Sequence, residues 1–216
     1  MRTKTLKKRI YTSLILLFLI FIIFKSKTVL VFCLMALGVL SLLEFFNIIK
    51  KIFKNKFYIF ISSITFIIYI CMFCYFFFFF SIFMELKIII FSLLLGCAAS
   101  DIGGFLVGKT FKGPKLTKVS PNKTISGSFG SLILTCIVFS TSIFYFTKSF
   151  DYKILIIAIT TSIACQLGDL FFSFLKRKSK TKDTGNFFPG HGGVLDRLDG
   201  ILFGIPIGFI TLILFY

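Results

Sequence analysis

Uncharged apolar runs alternate with short lysine-rich joints along the whole chain, and most runs approach the ~20 residues a helix needs to cross a bilayer. The pattern predicts membrane-spanning helices at roughly 10–24, 28–49, 57–84, 88–107, 127–147, 153–175 and 194–216. The expected fold is all-α: a polytopic integral membrane helical bundle with about seven transmembrane helices, forming a single membrane domain over residues 1–216. Phe57–Met84 is the ambiguous run, because its 28 uncharged residues leave room for a hairpin. Two spans there would have about 13 residues each, too short for the hydrocarbon core, so one long, tilted span is expected.

Composition agrees, since 57% apolar residues, 33 phenylalanines and a mean hydropathy of +0.98 exceed what a soluble core of this size buries. With no tryptophan in the chain, Tyr11, Tyr58, Tyr152 and Tyr216 stand near span ends as interfacial anchors. The basic N-terminus followed by Ile10–Phe24 resembles a signal sequence. Phe24 meets Lys25 with no small-residue cleavage site, and an uncleaved first helix is expected. All six cysteines lie in apolar stretches, and the Cys71-x-x-Cys74 pair reads as small apolar residues.

The net charge of +17 does not imply nucleic acid, because the basic residues sit at span ends, where orientation and anionic headgroups account for them. With a cytoplasmic N-terminus, 20 of the 25 basic residues fall on the inner side. A hairpin inside Phe57–Met84 would give 12 inside and 13 outside. The expected location is the cell's inner membrane, with the N-terminus and the long polar joints Gly108–Ser126 and Lys176–Gly193 cytoplasmic. Those joints are longer and richer in Gly, Pro and Lys than connections require, as binding loops often are.

Five of the eight acids, all aspartates, gather near those inner ends. Asp169, Ser173 and Lys176 are spaced four and then three apart, which sets a carboxylate, a hydroxyl and an ammonium on one helical stripe. Asp196 and Asp199 share a face of the last helix. Three aspartates converging from two helices make an oxygen-only site suited to Mg²⁺. The competing reading pairs Asp196 with Arg197 or Lys182 in a plain salt bridge.

Between the helices, Pro189-Gly190-His191-Gly192-Gly193 lets backbone N–H groups approach a phosphate. His191 reads as a phosphate ligand, a proton relay or a capped loop residue. Lys182 and Asp183 read equally as a loop ion pair or as substrate contacts. The other loop carries Ser120-Pro121-Asn122-Lys123-Thr124 and Ser126-Gly127, whose lysine and hydroxyls would suit a triphosphate. Asp101, about two turns inside its span, is a functional candidate with Lys109 or Lys123 as its expected partner.

The stretch Ser173, Lys176, Arg177, Lys182, Asp183, Gly185, Pro189, His191, Gly192, Gly193, Asp196, Arg197, Asp199 resembles the signature of the phosphatidate cytidylyltransferase (CDP-diacylglycerol synthase) family. Gly168-Asp169-Leu170 and Ser120-Pro121-x-Lys123-Thr124-x-x-Gly127 extend the likeness, placing the catalytic motifs within 100–200. The resemblance implies that CTP and phosphatidic acid give CDP-diacylglycerol and pyrophosphate at the cytoplasmic leaflet, with Mg²⁺ and a second, monovalent cation. It implies metal ligation by Asp169, Asp196 and Asp199, catalysis by these with Lys176, and substrate contacts from Ser173, Arg197, Lys123, Ser120, His191, Gly192, Gly193, Lys182, Asp183 and Asp101. It also implies a homodimer. Phe172, Ser126 and Ile102 depart from the family pattern, and the chain is shorter than typical members, as though N-terminal spans were lost. Against this reading stand a CTP-dependent lipid kinase of the polyprenol type and, from another class, a transporter. A transporter would place ionisable residues at mid-membrane on broken helices.

Overall fold

The computed structural model describes residues 20–117, 119–121, 123–185, 187 and 192–216. Within them are six helices long and apolar enough to cross a membrane: α1 (Lys27–Ile52), α2 (Lys56–Ile82), α3 (Met84–Phe111), α4 (Ile125–Thr147), α5 (Tyr152–Lys178) and α6 (Leu195–Phe215). The protein is thus an all-helical, multi-pass membrane protein. Residues 20–25 are also helical; the rest of the expected first span, with Tyr11, lies outside the described residues.

Helix ends fall where the polar joints put their capping chemistry. The Ser26 hydroxyl accepts from Val29 N at the start of α1, and Lys50 and Lys51 occupy its last turn. The Asn55 side chain accepts from Phe57 N to open α2, and Thr124 Oγ1 accepts from Gly127 N to open α4. Lys148 closes α4 in the left-handed conformation, its N–H donating to Phe144 O. Phe57–Met84 forms no hairpin: α2 runs unbroken for 27 residues. That is about 40 Å of helix, which tilt fits to a hydrocarbon core of ~30 Å.

The chain divides into two compact units. The first comprises the chain up to Phe78 with Leu175–Arg197, and the second comprises Phe79–Phe174 with Leu198–Tyr216. In the first unit α1 and α2 meet at Gly38, where a Cβ would stand 3.4 Å from Ile70 and 3.5 Å from Cys74 Sγ. Phe45 stacks on Phe66 with ring centroids 3.8 Å apart.

The second unit is packed through small residues. Gly103, Gly104 and Gly108 of α3 lie against Gly130, Gly127 and Ser131 of α4 so closely that the two backbones touch. On α6, Gly200, Gly204 and Gly208 recur every four residues and form one stripe. That stripe receives Cys165 and Thr161 of α5 and Cys97 and Leu93 of α3. Lipid offers no hydrophobic drive for helix association, so close van der Waals contact of this kind must hold the bundle.

A methyl group at position 130 would stand 2.5 Å from Val107 Cγ2 and 2.7 Å from Gly103 O, with rigid backbone on one side. Gly130→Ala is expected to cost about 1–3 kcal/mol of stability. Gly38→Ala, where the added carbon meets ordinary contact distances, should be neutral or slightly stabilising, as alanine favours helix. Unfolding of the two variants in detergent micelles checks the difference; equal midpoints would exclude backbone contact at Gly130.

Candidate functional site

Between α3 and α4 the chain folds back as a short hairpin. Leu116 N donates to Lys123 O, Ile125 N donates to Pro114 O, and Lys123 N closes a turn on Ser120 O. This geometry carries Lys123 from the loop to α5, where its ammonium meets Asp169 Oδ2 at 2.8 Å. The expectation that Lys109 or Lys123 would pair with Asp101 is therefore corrected. Lys123 is committed to Asp169, while Lys109 lies over the Phe105 ring.

Asp101 nonetheless belongs to the same place. Ligand atoms of Asp101, Cys165 and Asp169 all lie within 4.8 Å of one another. Asp101, Lys123 and Asp169 line a cavity of about 250 Å³ with Ser128, Ser131 and Gln166. Its polar wall is internally satisfied. The Ser128 hydroxyl donates to Gln166 Oε1, Gln166 Nε2 donates to Ser128 O at 3.3 Å, and Ser131 Oγ donates to Ser100 O at 2.7 Å.

The glycine stripe sets α6 against this cluster. The Cβ position of Gly168 falls on Asp199 O, and that of Gly200 lies 2.9 Å from Asp169 Oδ1. The α5 and α6 backbones therefore touch at the very residues that carry Asp169 and Asp199. Asp199 Oδ1 accepts from Gly200 N at 3.1 Å. Ser173 stands half-buried one turn further along α5.

Asp196 is part of the first unit. Its Oδ1 accepts from Lys176 Nζ at 2.7 Å, and its Oδ2 accepts from Thr184 N at 2.9 Å and Gly193 N at 3.0 Å. The pairing considered with Arg197 or Lys182 is thus corrected to Lys176. Gly192 takes φ +84 with its Cβ position 2.9 Å from Asp196 Oδ2, so a side chain there would be strained and crowded. Lys182, Asp183 and Arg197 are exposed and Ser120 is half-buried; His191 lies outside the described residues.

Glu44 was absent from the expected site, yet it reaches the same loop. Its carboxylate accepts from Thr184 Oγ1, Val194 N and Leu195 N. The one usable signal was an acid inside the apolar α1 run. Cys165 and Gln166 carried none, because each gains meaning only from neighbours on other helices. The departures from the family pattern also find places. Phe172 is buried beside Phe203, Ser126 Oγ donates to Lys112 O, and Ile102 is exposed.

Residues 50–215 match the sequence model of the Cytidylyltransferase family. The phosphatidate cytidylyltransferase of Rickettsia bellii is 44% identical over 117 residues, 50% of this chain and 51% of that protein. Those of Helicobacter pylori and Bacillus subtilis are 40% and 39% identical over 119 and 121 residues, covering 52% and 54% of this chain and 42% and 44% of theirs. The matched stretch thus spans about half the length of these curated relatives.

The Lys176–Asp196 pair is largely withdrawn from solvent, with side chains 14% and 9% exposed. Removing one member of such a pair leaves an uncompensated charge and costs about 3–5 kcal/mol. Lys176→Met should therefore destabilise strongly, and Lys176→Met/Asp196→Asn should cost less than the two single changes summed, by at least ~1 kcal/mol. Chemical unfolding in mixed micelles measures the cycle; additive effects would show that the two charges do not couple.

Proposed function

Because the chain belongs to the cytidylyltransferase family, we propose that it transfers the cytidylyl group of CTP to phosphatidic acid, giving CDP-diacylglycerol and pyrophosphate. The observation that carries this reading is the grouping of Asp101 and Asp169 with the Lys123 ammonium along one cavity among apolar helices. A site with both carboxylates and a lysine can hold a polyanion and its counter-ion together, which a triphosphate requires.

A phosphate oxygen of phosphatidate forms the new bond to the α-phosphorus of CTP, and the bond from that phosphorus to the bridging oxygen of the β-phosphate breaks, releasing pyrophosphate. The attacking group is a phosphomonoester with a second pKa of about 6, so it is already anionic near neutral pH and needs no general base. What remains for the protein is in-line positioning and neutralisation of charge. Lys123, Lys176 and Arg197 supply positive charge to phosphate oxygens, and Ser120 and Ser173 supply hydroxyl donors. Gly192, Gly193, Lys182, Asp183 and His191 are assigned to nucleotide contacts from their places in the family signature.

The donor chemistry fits a hard divalent cation. Asp101 and Asp169 present carboxylate oxygens beside each other, and α6 brings the Asp199 backbone against Gly168. Asp169 and Asp199, with Asp101, are the residues of the second unit we assign to Mg²⁺; Asp196, in the first turn of α6, is assigned to cation binding from its place in the family signature. Bound there, Mg²⁺ would neutralise developing charge on the phosphates. The lysine-rich joints are assigned to the cytoplasmic side of the inner membrane, where both substrates would be met.

Membranes containing the protein should move label from α-labelled CTP into the lipid fraction, whereas γ-labelled CTP should leave its label in pyrophosphate. Asp169→Asn and Asp199→Asn should each lower transfer about 10²-fold or more with membrane insertion unchanged. Label entering lipid only from γ-labelled CTP would make the protein a kinase and reject the assignment.

A further inference from the structure

Glu44 is 8% exposed in the middle of an apolar helix, about 12 Å from the last residue of α1. A carboxylate in such a segment is costly unless every lone pair finds a donor. Here the donors all come from one loop. Oε1 accepts from Val194 N at 2.9 Å, and Oε2 accepts from Leu195 N at 2.9 Å and from Thr184 Oγ1 at 2.7 Å.

Those donors stand at the two ends of the glycine loop, so one side chain closes both. Val194 and Leu195 are fully buried at the first turn of α6, and Glu44 satisfies N–H groups that the helix leaves free there. Thr184 is shared: its hydroxyl donates to Glu44 while its backbone N donates to Asp196 Oδ2. Glu44 and Asp196 therefore grip the same loop. The glycines at 185 and 193 make room for the grip. A Cβ on Gly185 would stand 2.8 Å from Glu44 Cδ, and one on Gly193 would stand 2.6 Å from Gly185 N.

We infer that Glu44 is a positioning residue for nucleotide binding: by holding Thr184 against Val194 and Leu195 it presets Asp196 and the Gly192–Gly193 backbone for the CTP phosphates. The inference rests on the proposed cytidylyl transfer. It differs from a packing role, which an apolar side chain would fill without a carboxylate in the membrane.

Glu44→Gln keeps the volume but turns an NH₂ toward N–H donors, and Thr184→Val removes only the shared hydroxyl. Glu44→Gln should raise the KM for CTP about tenfold or more, as loss of an orienting partner does, with the KM for phosphatidate within about twofold of wild type. Thr184→Val should raise the CTP KM in the same direction by a smaller factor. It leaves both backbone bonds to Glu44, so it decides the matter if Glu44→Gln fails to insert. Unchanged CTP KM in Thr184→Val and in any inserted Glu44→Gln protein, with only the amount of active enzyme reduced, would overturn the inference. Equilibrium binding of CTP is measured in parallel. A wild type that binds CTP but transfers no label would sink the proposed reaction, and weakened binding in the variants would still uphold Glu44. A wild type that does not bind CTP would sink both.

Discussion

A carboxylate inside a membrane-spanning segment has to be met by a cation or by a set of donors, and the described acids near the two polar loops obey this rule in different ways. Asp169 is met by Lys123, Asp196 by Lys176 together with two backbone N–H groups, and Glu44 by one hydroxyl and two backbone N–H groups. In each case at least one partner comes from a separate stretch of sequence, although Gly193 N lies only three residues before Asp196. Satisfying the charges therefore also fixes the loops. The hairpin is held on α5 by the reach of Lys123, and Thr184 is held beside the start of α6 by Glu44 and Asp196.

Loops can be fixed in this way only if the helices beneath them approach closely. The contacts of Gly103 with Gly130 and of Gly168 with the Asp199 carbonyl bring main chains together without intervening side chains, and the bare backbone at Gly200 lets the Asp169 carboxylate lie against α6. An ordinary residue at any of these points would separate the helices by the width of a side chain. Asp169 could then no longer lie against the α6 backbone. The small-residue stripes are for this reason as much a part of the site as the charged groups they bring together.

The span pattern was plain in the sequence because each helix must carry its own apolar run, and boundaries agree with the structure to within a few residues. The expected single span over Phe57–Met84 holds for the same reason: a bilayer sets a minimum helix length that no local signal overrides. Asp169, Lys123 and the glycine loop were also singled out, from spacing and from family resemblance. Their partners were not. Lys123 joins Asp169 across 46 positions and Glu44 joins Thr184 across 140, and helical periodicity carries no information over such separations. Asp101 illustrates the limit from the other side: its place inside an apolar run made it a functional candidate, but charge alone could not choose among nearby lysines. Gln166 and Cys165 were silent because an amide or a thiol on an apolar helix acquires a role only from what faces it.

The two lysine–aspartate pairs share a property that bears on how such a site can be both stable and ready. Each pair is neutral as a unit, so the protein without substrate carries no isolated charge at Lys123, Asp169, Lys176 or Asp196. Under the proposed function, a triphosphate would offer either lysine a stronger set of anionic oxygens than one carboxylate does, and its counter-ion would offer the aspartate an alternative to the lysine. Exchange of partners would then conserve charge at each residue, and a charge already withdrawn from water in the folded protein would not have to be withdrawn again. An arrangement with unpaired lysines would bind anions without discrimination, and one with unpaired aspartates would repel them. Pairing each with the other would make phosphate and cation favourable chiefly when they arrive together, which is the form in which the proposed reaction would present them.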